Sequence, residues 1–377
     1  MKRRYILLGI LICIILFSYS IIDKNYREKY EKKAQYVYER ILQEKSWIRQ
    51  NQDESGAIFL NNTGSAGDVN PYFASLAAQG LLAGIPEQRD LDVVQKYLLW
   101  HRQEFLKKQG EVGNYILDNN QLVETQIRDS VDSYVAVYLS LLCQYGIAGG
   151  DMNVVDSRQE ALQLGMHKLD LLYKDGITKV DLEQEVFYLM DNVEVLSSYQ
   201  DIIELAKTDE GQKWFGSKKE FFEKKIEKKI DESKTEMVNK LWNQTEERFE
   251  VGLSGEQTMH FSGWDKIYPD AIAQVYPMAF DVSLPGVRQS KLYKTLCKNI
   301  EWENMQFGTD EFTWSVLSYV AAVSGDFSRA EIYLNHYEKL VGKSREYPFH
   351  IADAAWAVKA YAELERVYTR RAMKGLL

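Results

Sequence analysis

The sequence has few of the residues that interrupt helices or bind metals. It contains 6 prolines, 3 cysteines and 5 histidines in 377 residues. So few prolines favour long helices. Cys13, Cys143 and Cys297 form no CxxC or Cys/His spacing, which excludes the usual zinc motifs, and Cys143 and Cys297 are interpreted as thiols in apolar surroundings. We expect no cofactor and no metal.

A basic patch and the short catalytic motifs are also missing. The chain has 46 Lys and Arg against 55 Asp and Glu, for a net charge of -9. This balance argues against nucleic acid and other polyanions as ligands and fits a neutral one. The sequence has no P-loop, glycine-rich dinucleotide motif, GxSxG or HExxH.

One long hydrophobic run is present, and it lies at the N-terminus. The basic segment MKRR precedes 18 uncharged residues, Tyr5 to Ile22. This pattern predicts a signal anchor within residues 1–25, with the positive charges in the cytoplasm and residues 26–377 outside it. The protein would then be a single-pass protein of the cell membrane. The alternative is a cleaved signal peptide and a secreted protein.

Two kinds of helical segment alternate along residues 26–377, which we predict to form one domain. The first kind is charged on one face and is expected outside: 26–50, 89–109, 156–174, 217–244, 287–301 and 327–342. The second kind is apolar, is rich in alanine and serine, and is expected inside: 70–82, 129–142, 189–206, 268–280, 310–325 and 350–365.

Six outer and inner pairs predict an all-α protein, an (α/α)6 barrel of six helical hairpins that follows the N-terminal anchor. Residues 245–265 and 111–127 break the pattern and are predicted to be loops or short hairpins, and residues 51–62 to be extended.

Polar and aromatic residues concentrate near the starts of the predicted inner helices. In a ring of hairpins all inner helices run in one direction, so these starts meet at one end of the barrel. Carboxylates and aromatic rings on one concave surface are typical of a sugar site. The substrate-binding candidates are Tyr72, Asp129, Asp191, Glu194, Trp264, Tyr268, Asp270, Trp314, Asp353 and Trp356, and the catalytic candidates are Asp132, Asp68 and Glu54.

Structural explanations compete for several of these residues. Aspartate is a favoured helix N-cap, which explains Asp68, Asp129 and Asp310 equally well. Asp270 follows Pro269 and suits a first helical turn. Capping explains less for the acids predicted inside helices: Asp132, Asp191, Glu194 and Asp353. Core packing is the alternative for the tryptophans, and a structural role is favoured for His350.

Six hairpins with acids at the inner-helix starts resemble the six-hairpin glycosidases, over residues 35–365. The most similar motifs are those of the family-8 type of endoglucanase, with a glutamate before a Gly-x-x-Tyr-Gly helix start and an Asp-rich second inner helix. Here GDVNPYFASLAA places Asp68 at the glutamate position and Tyr72 at matching spacing, and DSVDSYVAVYL matches the second motif through Asp132. The aspartate is one methylene shorter than glutamate, and the motif glycines are missing.

The resemblance implies a glycoside hydrolase that acts on a poly- or oligosaccharide by an inverting two-carboxylate mechanism. Asp132 would be the base or a ring-binding carboxylate, and Asp68 or Glu54 the acid. Trp264, Tyr268, Trp314 and Trp356 would form subsites. The departures from the motif favour the alternative, a membrane-tethered protein that binds carbohydrate or assembles polysaccharide without catalysis.

Overall fold

The structure consists mainly of helices joined by short strands. The computed structural model describes residues 2–61, 68–119, 121–307, 312–342 and 345–375. For residues 2–18 it describes the backbone only. The helices are α1 (Lys2–Gln50), α2 (Pro71–Leu82), α3 (Gln88–Lys107), α4 (Val131–Ile147), α5 (Met152–Asp156), α6 (Glu160–Leu172), α7 (Leu189–Lys207), α8 (Asp209–Phe215), α9 (Lys219–Leu241), α10 (Ile272–Ala279), α11 (Gln289–Asn299), α12 (Val316–Val323), α13 (Phe327–Val341) and α14 (Ile351–Lys374).

Six apolar helices form a closed inner ring. Helices α2, α4, α7, α10, α12 and α14 pack against one another in this order, and α14 returns to α2. Helices α1, α3, α6, α9, α11 and α13 cover the ring from outside. The predicted barrel of six hairpins is therefore confirmed.

Small residues allow the inner helices to approach closely. A Cβ atom at Gly80 of α2 would lie 2.5 Å from the Cβ atom of Ala355 in α14, so this crossing requires glycine. Asn70 is the N-cap of helix α2, and its side chain accepts a hydrogen bond from the Phe73 backbone N–H. Pro71 is the first residue of the helix. Local sequence and packing therefore fix the same helix start.

Short strands lead into several inner helices. They are β1 (Asp68–Val69), β2 (Tyr115–Asp118), β3 (Gln121–Glu124), β4 (Tyr173–Lys174), β5 (Ile177–Thr178), β6 (Val186–Tyr188), β7 (Trp242–Asn243), β8 (Arg248–Phe249), β9 (Gly252–Ser254) and β10 (Gln257–Met259). All pairs are antiparallel: β1-β2-β3, β10-β9-β6, β4-β5 and β7-β8. The predicted hairpins within 111–127 and 245–265 are confirmed. Since β1 directly precedes α2 and β6 directly precedes α7, these sheets form part of the rim at the starts of the inner helices.

Several predicted helix boundaries were wrong. Helix α12 begins at Val316 rather than at 310, because Trp314 has φ +50 and cannot continue a right-handed helix. Asp310 and Glu311 lie outside the described residues. The fourth inner segment starts as a π-helical turn, Ile267–Ala271, with Tyr268 in extended backbone, before α10 begins.

Helix α14 is longer than predicted because its C-terminal end packs along α1. Arg27 of α1 donates hydrogen bonds to the carbonyls of Ala372 and Met373 at the end of α14. These bonds satisfy carbonyl groups that a helix end leaves open. Among the residues that the structure describes, no helix is long and apolar enough to cross a membrane. Residues 5–18 of the hydrophobic run lie outside those with described side chains.

Candidate active site

Three inner helices bring hydroxyl groups to one buried carboxylate, Glu194, on a fourth inner helix, α7. Its Oε1 accepts hydrogen bonds from the hydroxyls of Tyr72 in α2, at 2.5 Å, and Tyr276 in α10, at 2.6 Å. Its Oε2 accepts from the Ser133 hydroxyl in α4. The two tyrosine hydroxyls lie 3.0 Å apart. These contacts bring the N-terminal turns of α2, α4 and α7 together with the middle of α10.

The carboxyl groups around Glu194 share one poorly solvated region. Glu194 is 2% exposed. Burial and the charge of Asp191 raise its pKa to about 8, although hydrogen bonds from Ser133, Tyr276 and Tyr72 act in the opposite direction. Burial likewise raises the pKa of Asp191 to about 7, and the negative charge of Asp129 adds to this effect. At neutral pH the cluster therefore retains protons that isolated carboxyl groups would lose.

Asp132 lies beneath this cluster and has no exposed surface. Its Oδ2 accepts from the Thr178 hydroxyl at 2.8 Å, and its Oδ1 accepts from the Ser133 backbone N–H at 2.9 Å. Asn192 of α7 accepts from the Thr178 backbone N–H at 2.7 Å and so fixes the residue that holds Asp132. Burial and the charge of Asp191 raise the pKa of Asp132. The predicted base is thus near the other acids but is not accessible from the rim.

Asp129 is the member of the cluster that is open to solvent, and Asp191 is buried with a small exposed area. Asp191 is 9% exposed, and its Oδ2, which is itself buried, has no hydrogen-bond partner within the described part of the chain. Asp129 is exposed, lies just before α4, and accepts from the Ser130 backbone N–H at 3.0 Å. Ser130, not Asp129, occupies the N-cap position of α4. Capping is therefore not the role of Asp129.

Aromatic rings stand at the same end of the barrel. Tyr268 is 52% exposed and stacks on Trp314, with ring centres 5.3 Å apart and planes 17° from parallel. Burial raises the pKa of Tyr268 to about 12, and the negative charges of Asp191 and Asp129 add to this effect. The His350 ring packs at a tilt on Phe73, with centres 4.4 Å apart. The tyrosine and tryptophan offer a flat apolar face beside a carboxyl group. We define the front mouth as the surface formed by Asp129, Asp191, Tyr268 and Trp314.

Three other candidate acids have positions outside the front mouth. Glu54 is exposed in a turn closed by the bridge between Gln52 and Ile58, and Gln52 donates to the Val93 carbonyl of α3. Asp68 is exposed on β1. Asp270 is buried, accepts from the Ser262 backbone N–H, and lies 3.4 Å from the Lys266 ammonium, so it ties down the loop before α10.

The remaining candidates also have structural contacts. Asp353 accepts from the His350 backbone N–H at 3.1 Å and from the Thr313 hydroxyl, and so caps α14. Trp264 packs edge-on against Phe261. Trp356 is buried between Phe280 and Tyr319, away from the front mouth. Functional roles for Asp353, Trp264 and Trp356 stay predictions. Their contacts in the structure favour structural roles.

Sequence reasoning missed Tyr276, Ser133 and Thr178. The only feature of the sequence that could have indicated a site role for Ser133 is its position directly after Asp132. Tyr276 reaches Glu194 only because the ring brings α10 beside α7. Among the described residues no group of three or more His, Cys, Asp and Glu side chains is arranged to hold a metal ion.

Comparisons with solved structures support the fold. A structure named "Glycosidase Wild Type" has a TM-score of 0.59 at 10% identity, covering 90% of this chain and 98% of that one. An inactive variant of an α-1,6-mannanase of Salegentibacter sp. HEL1_6, in complex with α-1,6-mannotriose, has a TM-score of 0.52 at 8% identity, covering 88% and 99%. A rhamnosidase from Klebsiella oxytoca with rhamnose bound has a TM-score of 0.50 at 10% identity, covering 79% and 64%.

The chain therefore has the fold of the six-hairpin glycosidases. These neighbours give no support specific to the family-8 type. No protein-family model matches the sequence, and no curated protein matches it.

Proposed function

We propose that the protein is a glycoside hydrolase and that the front mouth binds a neutral poly- or oligosaccharide. The observation that supports this most is the carboxyl cluster at the convergent helix starts. One member, Asp191, has a small exposed area and is held near the pKa that an acid catalyst needs at neutral pH. A sugar ring stacked on the outer face of Tyr268, whose inner face packs on Trp314, would lie next to it.

The proposed reaction is an inverting hydrolysis. Asp191 donates its proton to the glycosidic oxygen as the bond to the anomeric carbon breaks. Asp129 takes a proton from a water molecule, whose oxygen forms the new bond to that carbon. The products are a shortened glycan and a released sugar. Glu194 and Asp132 are buried beside Asp191, and the negative charge of Asp191 helps to raise the pKa of both.

A panel of α- and β-linked glucans, mannans and rhamnose-containing oligosaccharides tests this function, with released sugar measured by mass spectrometry. Asp191→Asn and Asp129→Asn should each lower the rate about 10²- to 10⁴-fold, the usual contribution of a general acid or base. Asp170→Asn is the matched control, because Asp170 pairs with Lys225 and Lys229 on the outer helices. No turnover of any glycan by the wild type would refute hydrolysis.

Carbohydrate binding without catalysis is the second candidate. Glu194 and Asp132 are both below 3% exposed, and neither Glu54 nor Asp68 contacts the cluster within the described chain. Saturable glycan binding by the wild type without product would favour this function.

The proposed location is outside the cytoplasm, tethered to the membrane or secreted. The apolar run from Tyr5 to Ile22 after a basic start supports it. Protease treatment of intact cells tests it: degradation of the barrel is expected, and protection in intact but not lysed cells would contradict it.

A further inference from the structure

The inner ring carries a second layer of polar residues, two helical turns beyond the first. Tyr72 and Gln79, Ser133 and Ser140, and Glu194 and Asp201 are each separated by seven residues on α2, α4 and α7. Seven residues advance a helix by about 10.5 Å on nearly the same face. Asp201 accepts from the Ser140 hydroxyl just as Glu194 accepts from Ser133.

This second layer opens into a cavity of about 470 Å³ at the opposite end of the barrel. All six inner helices or their ends line it. We call it the rear cavity and define it by Gln79, Gln144, Asp201, Phe280, Tyr319 and Lys359. It lies at the C-terminal ends of the inner helices and is therefore separate from the front mouth.

The rear cavity contains hydrogen-bonding groups that the described chain does not use fully. The Lys359 ammonium donates to Oε1 of Gln79 at 3.2 Å, its one hydrogen bond among the described residues, and lies 4.4 Å from the centre of the Trp356 ring, so it retains N–H capacity for a further acceptor. Burial lowers the pKa of Lys359 to about 8, and the negative charge of Asp201 opposes this shift only in part. Asp201 accepts from Ser140 and Gln144 through Oδ2, which leaves Oδ1 as an acceptor.

Aromatic surface and net charge indicate the class of ligand. Phe280 and Tyr319 line the cavity and pack on Trp356, with ring centres 5.7 and 5.8 Å from it. Besides one ammonium, the cavity has the carboxyl groups of Asp201, Asp281 and Glu363, which disfavour an anion. Donors, acceptors and ring faces together suit a neutral polyhydroxylated molecule.

We propose that the rear cavity is a second carbohydrate site, which binds a neutral sugar or polyol through Lys359, Asp201 and Gln144 against the faces of Phe280 and Tyr319. This site is independent of hydrolysis at the front mouth and stands even if the protein has no catalytic activity. A glycan product or a free sugar would occupy it by the same contacts.

Fluorine NMR of the full chain labelled with 5-fluorotryptophan tests this site separately from the front mouth. Trp356 reports on the rear cavity and Trp314 on the front mouth, and Trp356→Phe and Trp314→Phe assign their signals. Titration with glucose, mannose or rhamnose should shift the Trp356 signal saturably. Lys359→Met should weaken that response about tenfold, the effect of losing one charged hydrogen bond, without changing the Trp314 response.

Lys207→Met is the matched control, because Lys207 is exposed on α7. Gln144→Leu, at the partly exposed wall of the cavity, serves as a second variant if Lys359→Met does not fold. A Trp356 signal that no sugar shifts, or a shift that both cavity variants leave unchanged, would overturn the proposal.

Discussion

Replacement of Glu194 by glutamine should make the stability of the barrel much less dependent on pH. In the folded chain the pKa of Glu194 is raised from its ordinary value of 4.5 to about 8. Between these pH values the folded state binds a proton that the unfolded state has lost. The raised pKa of Glu194 therefore contributes its full free energy to the stability of the folded state below pH 4.5. This contribution is lost as the pH rises through about 8.

The size of the effect follows from the two pKa values. One pKa unit corresponds to ~1.4 kcal/mol, so the difference between 4.5 and about 8 amounts to about 5 kcal/mol. Water entry on ionisation reduces this value, and we expect a change of ~3 kcal/mol in practice. Glutamine keeps the shape of the side chain but cannot ionise: its Oε1 accepts from Tyr72 and Tyr276, and its Nε2 donates to the Ser133 hydroxyl, which then accepts.

Urea unfolding at several pH values from 5 to 9 measures the prediction. The free energy of unfolding of Glu194→Gln, relative to wild type, should rise by ~3 kcal/mol across this range. Glu204→Gln is the matched control on the same helix, because Glu204 is solvent-exposed beside Lys207. A difference between Glu194→Gln and wild type that does not change with pH would refute the account of the cluster.

Three further predictions concern other parts of the molecule. Tyr268→Ala should weaken glycan binding about tenfold in calorimetry without altering the melting temperature, because the ring is half exposed and stacks on Trp314; unchanged affinity would remove it from the site. The hydrolytic rate should fall as the pH rises through about 7, because Asp191 must be protonated to act as the acid, and a rate that increases across that range would exclude this role. Arg345→Met should lower the free energy of unfolding by ~3–5 kcal/mol, because it leaves the buried Glu44 without its paired partner; a cost below ~1 kcal/mol in urea unfolding would contradict a stabilising role for this pair.

The ring architecture could be predicted because each class of helix has its own composition. Outer helices such as α3 keep a charged face, whereas α2 and α4 carry no charged residue after their first turns. The start of α12 could not be predicted, because the left-handed backbone of Trp314 is imposed by its surroundings and not by its residue type. The extension of α14 depends likewise on a distant partner, Arg27.

The site was only partly predictable. The acids Asp129, Asp191 and Glu194 could be found from their positions near helix starts, but their exposure could not. The distinction between exposed Asp129 and fully buried Asp132 required the structure. Tyr276 is 204 residues from Tyr72, and only ring closure brings both hydroxyls to Glu194. Asp68 matched a motif position, yet strand pairing with Ile116 places it on an exposed sheet.

The position of a bound glycan tests the central claim most directly. Crystals of Asp191→Asn should be soaked with each glycan of the panel, because this variant keeps the shape of the site and lacks the proposed acid. We predict a sugar ring stacked on the outer face of Tyr268, whose inner face packs on Trp314, with its glycosidic oxygen within hydrogen-bond distance of residue 191 and Asp129 on the opposite side of the ring. A glycan bound only elsewhere on the barrel, or none bound at the front mouth, would contradict the account.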